Sequence, residues 1–177
     1  MKDQPVTTVI RPVVEKDLPS VAELFYQTVR HVDPALYTPE QTAAWAPEAG
    51  TPDGWARRFR GYQALVAVDG ERVVGFASIS PAGHIDMLFV RHDRQREGIG
   101  AALLRRMLEL ADGWRLDEVH TEASLVAKGL FERFGFEVVE VEEVVRRGVS
   151  LRRFRMSLRR LGTLYKGAGN ERSNVAT

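Results

Sequence analysis

The sequence contains no cysteine. A disulfide framework, a cysteine-bound metal and a cysteinyl covalent intermediate are therefore excluded. With 177 residues, the chain is long enough to bury a core without such staples. No window approaches the ~18 consecutive apolar residues of a membrane span, so no membrane partner is expected. The opening stretch MKDQPVTTVIRP has no apolar signal segment. The chain reads as soluble, untargeted and compatible with a reducing cytoplasm. Strong charge of one sign is also missing, since the net charge is +1. That balance hides an asymmetry: from Arg146 onward there are nine Lys/Arg and one Glu, against 16 basic and 23 acidic residues before it. The basic part reads as a solvated strand face and tail. Nucleic acid is not the expected partner, because no stacking-plus-basic pattern accompanies the arginines.

What is present is an alternation of periods. Residues 9–14 are extended, and Asp17 is expected to cap a helix carrying Leu18, Val21, Ala22, Phe25 and Val29 on one stripe. Residues 31–61 hold four prolines, with Tyr37, Trp45 and Trp55 among them, and read as short helices near 40–46 and 54–60. Two β-rich runs, 64–68 and 72–80, flank Asp69-Gly70, a hairpin signal, and a third strand covers 84–90. Ile99, Leu103, Met107, Leu108 and Ala111 form the apolar stripe of a helix that ends near Gly113. A strand at 118–122, a helix at 124–134 and strands at 136–145 and 151–158 complete the pattern. The expectation is one mixed α/β domain over residues 1–161, with a central sheet of six to seven strands, helices on both faces, and a flexible tail at 162–177.

The stretch FVRHDRQREGIGAALL joins the third strand to the long helix and raises a chemical question. Unpaired amides at a helix start attract anions, and glycine lets a phosphate approach the backbone. The P-loop pattern fails, because Ala101-Ala102 follows Gly100 where Lys-Ser/Thr would stand. The dinucleotide fingerprint fails too, because Leu103 occupies its third glycine position.

The whole string LFVRHDRQREGIGAALL resembles motif A of the GCN5-related N-acetyltransferase (GNAT) superfamily: a strand ending in apolar-x-Val, a linker, then Gln/Arg-x-x-Gly-x-Gly/Ala. Ile10-Arg11-Pro12 through Asp17-Leu18 looks like the family's opening strand and first helix, and AKGLFERFGF at 127–136 like its fourth helix. The strand GHIDML and the turn Arg147-Gly148-Val149 are similar to a small bacterial acetyltransferase subgroup. The resemblance implies the GNAT fold and an acetyl-CoA-dependent N-acetyltransferase acting by direct transfer to a small-molecule or peptide amine, with no metal. A homodimer is compatible with it. The amides of Gln95, Arg96, Glu97, Gly98, Ile99, Gly100 and Ala101 would then hold the pyrophosphate of acetyl-CoA. The backbone of Leu88, Phe89 and Val90, at a strand bulge, would pair with the pantetheine arm and donate to the thioester oxygen. Arg94 and Arg96 would add charge toward the phosphates, and Ser124 stands where the family carries a CoA-contacting asparagine.

The family's tyrosine acid in the fourth helix falls on Phe131 here, and Phe134 has no hydroxyl either. Proton transfer therefore turns to His84 and Asp86, two apart on one strand and so on one face. His84 occupies the family's carboxylate-base position, and an imidazole suits that task. Asp86, among apolar neighbours, is costly to bury unpaired; which of the two is the base stays open. His120 and Glu122 share a face of the next strand as weaker candidates. Tyr37, Trp45 and Trp55 are expected to line the acceptor pocket. A non-catalytic acyl-CoA-binding or sensory module is the alternative reading.

Overall fold

A computed structural model of the chain describes residues 8–159; the expected tail at 162–177 and the boundary at 161 lie outside them. Strand β1 (Val9–Pro12) leads through a 3-10 turn into α1 (Leu18–Arg30), followed by the short helices α2 (Pro39–Trp45) and α3 (Pro52–Arg58). Three strands joined by tight turns come next: β2 (Gln63–Asp69), β3 (Arg72–Ile79) and β4 (His84–Val90). Then follow α4 (Ile99–Gly113), β5 (Glu118–Ser124), α5 (Lys128–Arg133) and the hairpin of β6 (Glu137–Arg146) and β7 (Val149–Arg159). The seven strands form one sheet in the order β1-β2-β3-β4-β5-β7-β6, in which only β4 and β5 run parallel. This is the mixed α/β domain expected from the sequence, with seven strands and helices on both faces of the sheet. No helix among the described residues is long and apolar enough to cross a membrane.

Strand alternation divides the core. Leu65 and Ala67 of β2 face the α4 side, where Ile99, Leu103, Leu104, Met107 and Ala111 are buried. Val66 and Val68 face the other side, under α1 and Trp55. Each fully buried aliphatic side chain contributes about 1.5–3 kcal/mol. The stripe of apolar residues at helical spacing is therefore what fixes α4 on the sheet. Asp17 does not cap α1 with its side chain. Its carboxylate accepts the Val14 amide at 2.9 Å and pairs with Arg11 at 2.6 Å, tying β1 to the turn. The Arg11 hydrogen bond holds its pKa below the ordinary value.

Two further differences from the sequence reading matter for the site. Residue 124 begins no helix: β5 stays in register with β7 as far as Ser124↔Arg153, so α5 shortens to Lys128–Arg133. The chain turns there because the Ala127 amide bonds back to the carbonyl and hydroxyl of Ser124. The bulge of β4 is not at residues 88–90. Ser78 pairs with Met87 and Ile79 with Ile85, leaving Asp86 as the extra residue. A bulge breaks alternation, so Asp86 meets Arg58 of α3 while its neighbour Met87 packs in the same α1–α3 layer.

The parallel pair is short. His84↔His120 and Ile85↔Thr121 are its only register positions. Gly83 makes the close approach, with φ +86° and an ideal Cβ position 2.5 Å from the Glu118 carbonyl oxygen. Its own carbonyl accepts the His120 amide at 2.9 Å. The Thr121 hydroxyl donates to the Ile85 carbonyl and closes the pairing at 2.9 Å. Beyond it the two strands part. Gly83→Ala combines a strained φ with a steric clash, and is expected to lower stability by about 1–3 kcal/mol. In urea unfolding the midpoint should fall with the m-value unchanged.

Candidate active site

Two cavities open in the cleft where β4 and β5 part. The larger, about 540 Å³, runs from the α4 N-terminus (Gln95, Arg96, Gly98) to Leu88 and Phe89. The smaller, about 180 Å³, lies on the far side, between Asp86, Glu122 and the β6–β7 hairpin. Trp45, Leu88, Phe89, Ser124 and Ala127 line both, so the cavities are two ends of one cleft.

The larger end contains an open helix start, a geometry that suits an anion. Gly98 precedes α4 with φ +83° and Arg96 has φ +67°, so the loop enters the helix through two left-handed residues. The first amides of this 15-residue helix have no intrahelical carbonyl to bond. Nothing lies within 4 Å of the ideal Cβ position of Gly98; that of Gly100 meets the Leu130 side chain at 3.2 Å. Gly100 and Ala101 line the cavity, whereas the Ile99 side chain is buried in the core. Arg94 is not aimed at this space: it bonds Asp69 at 2.9 Å and Glu97 at 2.8 Å, clamping the loop onto the β2–β3 hairpin. Arg91 bonds Asp93 within the loop and holds its carboxyl down at about 2, and Arg72 of β3 pairs with the same carboxylate at 3.3 Å. Val90 contributes backbone, its carbonyl accepting the Thr28 hydroxyl.

The smaller end carries the titratable groups. Asp86 and Glu122 sit on opposite arms of the cleft, each two residues behind a lining residue, Leu88 and Ser124. Asp86 pairs with Arg58 at 3.4 Å. The partner of Glu122 is His84, whose Nε2 lies 2.6 Å from the carboxylate. The Tyr62 hydroxyl stands 3.3 Å from the other ring nitrogen, and the His120 ring stacks on His84 at 5.0 Å. Burial, and then the nearby Asp86 carboxylate, hold the Tyr62 phenol above its ordinary pKa. The two ring nitrogens of His84 thus have separate partners, the Tyr62 hydroxyl at Nδ1 and the Glu122 carboxylate at Nε2. His84 itself does not line the cavity. His84 and Asp86 do share a face, as their spacing suggested, but the group presented beside Asp86 is Glu122. His120 and Glu122 were visible as a pair on β5; only the strand pairing brings their face against His84.

The aromatics divide. Tyr37 is buried and lines the smaller cavity, accepting the Leu125 amide at 3.0 Å and donating to the Arg152 carbonyl at 2.6 Å. Trp45 stands where the cavities meet, against Tyr37 and Phe89. Trp55 lines neither: it is 5% exposed, donates to the Ala49 carbonyl and packs on Phe25 and Phe76 in the core. Phe131 lines the smaller cavity with no hydroxyl to offer. Among the described residues, no group of three His, Asp or Glu converges as a metal site. Tyr37→Phe would leave the half-buried Leu125 amide without its partner and release the hairpin. A loss of about 1–3 kcal/mol is expected, read as a lower urea midpoint.

Comparison with known proteins bears on the fold and the family. Residues 34–158 match the family model of an acetyltransferase (GNAT) domain. The chain is 32% identical over 148 residues to an uncharacterised N-acetyltransferase of Escherichia coli, YafP, covering 83% of this chain and 93% of that protein. A GCN5-related N-acetyltransferase structure from Rhodopseudomonas palustris, described as aminotransferase, class-II, superposes with a TM-score of 0.81 at 28% identity, covering 86% of this chain and 96% of the other. At 21% identity and a TM-score of 0.67, the fold is also shared with a phosphinothricin acetyltransferase from Sinorhizobium meliloti solved with acetyl-CoA, over 86% of this chain and 88% of that one.

Proposed function

Because this chain belongs to the GNAT family of acetyltransferases, we propose that it moves an acetyl group from acetyl-CoA directly to a primary amine, with both held in the cleft at once. The observation that carries this reading is the continuity of the cleft. An anion-binding helix start leads past Leu88 and Phe89 to two carboxylates on opposite walls. The thioester supplies the activated acetyl group when bound.

Each part of the chain then has a task. The amides of 95–101 hold the pyrophosphate through the helix dipole and the left-handed turns at Arg96 and Gly98. The free edge of β4 beyond Ile85 pairs with the amide-bearing arm, and an N–H of residues 88–90 stabilises charge on the thioester oxygen. Asp86, balanced by Arg58, holds the incoming ammonium. Glu122 touches the acceptor nitrogen and takes its proton, while His84 and Tyr62 hold that carboxylate in place. Orientation of two bound reactants supplies most of the rate, and the base adds ~10²–10⁴-fold. The missing hydroxyl at Phe131 is tolerable: with an ordinary thiol pKa of ~8.5, a thiolate at pH 7 costs only about 2 kcal/mol.

Three variants test these roles. Glu122→Gln should lower kcat by ~10²-fold or more with KM nearly unchanged, whereas Asp86→Asn should mainly raise the acceptor KM, by about tenfold. Equal effects on both parameters in both variants would remove the division of roles. Gly98→Glu puts a carboxylate in the anion cradle and a side chain at a strained φ. Acetyl-CoA affinity by calorimetry should drop at least ~100-fold; an unchanged Kd would sink the cradle. The missing hydroxyl at Phe131 also favours a non-catalytic acyl-CoA-binding module. That reading predicts tight acetyl-CoA binding with no CoA release across an amine panel.

A further inference from the structure

We infer that the acceptor is a small amine that also carries an anionic group, a carboxylate or phosphate, several bonds from its nitrogen. The inference rests on the acetyl-transfer reading and concerns the far wall of the smaller cavity. That wall is the β6–β7 hairpin, and its arginines are not equivalent. Arg152 pairs with Glu143, Arg153 with Glu142 and Arg155 with Glu140, each across the hairpin. Those charges are spent within the sheet. Arg146, at the end of β6 opposite Val149, lines the same cavity and has no carboxylate partner among the described residues.

The cavity is thus polar at two ends. At the β4–β5 end are the carboxylates of Asp86 and Glu122, two acids with the Arg58 guanidinium 3.4 Å from Asp86 and the His84 ring on Glu122; at the hairpin end is the free guanidinium of Arg146, with Val144 and Leu151 also lining the cavity. An ammonium is matched by the first end and an anion by the second, where a guanidinium can bond carboxylate or phosphate with two parallel N–H groups. The register sets the separation. Glu122 lies opposite Arg155 and Arg146 opposite Val149. Six residues along β7 span roughly 20 Å at ~3.3 Å per residue. Even with the arginine reaching inward, an α-ammonium and α-carboxylate on one carbon cannot meet both ends. A chain with its charges at opposite termini can. A purely cationic polyamine is disfavoured, because its second ammonium would face Arg146.

Calorimetry on the CoA-saturated protein should compare ε-aminocaproate, aminohexyl phosphate, hexylamine and cadaverine. The anionic amines are expected to bind at least ~10-fold more tightly than hexylamine. The better of the two identifies the anionic group. In Arg146→Ala that advantage should fall by at least ~10-fold, to near parity with hexylamine, and Arg146→Lys should restore part of it. The ratios of kcat/KM should follow the same order. Hexylamine or cadaverine binding as tightly as the anionic amines would overturn the inference, as would an advantage that survives in Arg146→Ala. An Arg146-dependent preference in binding with no acetylation keeps this inference and removes the transfer reading. Acetylation without the preference does the reverse.

Discussion

Between β4 and β5 only two positions on each strand pair, and everything that makes a site here follows from that short contact. A parallel pair in the middle of an otherwise antiparallel sheet would normally be zipped along its length, because backbone groups left unpaired in an interior are costly. Here the zip is held at one end by Gly83, whose missing Cβ lets β4 sit against the Glu118 carbonyl, and is closed by the Thr121 hydroxyl. Past that point each arm finds other partners. Thr28 takes the Val90 carbonyl, and the Leu125 amide goes to Tyr37. The remaining β4 edge faces open space. A cleft in the centre of the sheet, with walls of rigid strand and a helix N-terminus at one end, is the result.

The same constraint explains the arrangement of charge. Because β4 and β5 are in register only at their starts, Asp86 and Glu122 emerge where the strands separate, on facing walls and at equal depth. The bulge at Asp86 adds to this, turning its carboxylate to the side of Arg58 while Met87 keeps its place in the core. The stacked His84 and His120 rings fill the closed end of the fork, and from there His84 reaches across to Glu122.

Much of this was legible in the sequence, and for physical reasons. The α4 stripe, the Asp69-Gly70 hairpin and the glycine-bearing turn at 95–100 are local patterns, set by residues adjacent along the chain. Positions that depend on pairing between distant segments were not. The bulge could not be assigned, because it arises from the count of β4 residues against β3. Nor could the sequence show that Glu122 lines the cavity and His84 stands behind it, since both are polar strand residues until the strands are aligned. Trp55 and Trp45 have the same composition and similar surroundings in sequence, yet one is enclosed by Phe25 and Phe76 and the other meets both cavities. Asp17 looked like a helix cap from its place before Leu18. It instead serves Arg11 and Val14, contacts that depend on where β1 runs.

The central claim is that acetyl donor and amine occupy the cleft together and react without an acetylated protein between them. Initial velocities measured while varying acetyl-CoA at several fixed amine concentrations test it most directly. Direct transfer predicts double-reciprocal lines that intersect, with no acetyl group found on the intact protein by mass spectrometry after exposure to acetyl-CoA alone. Parallel lines, together with a stably acetylated side chain that passes its group to the amine, would contradict it.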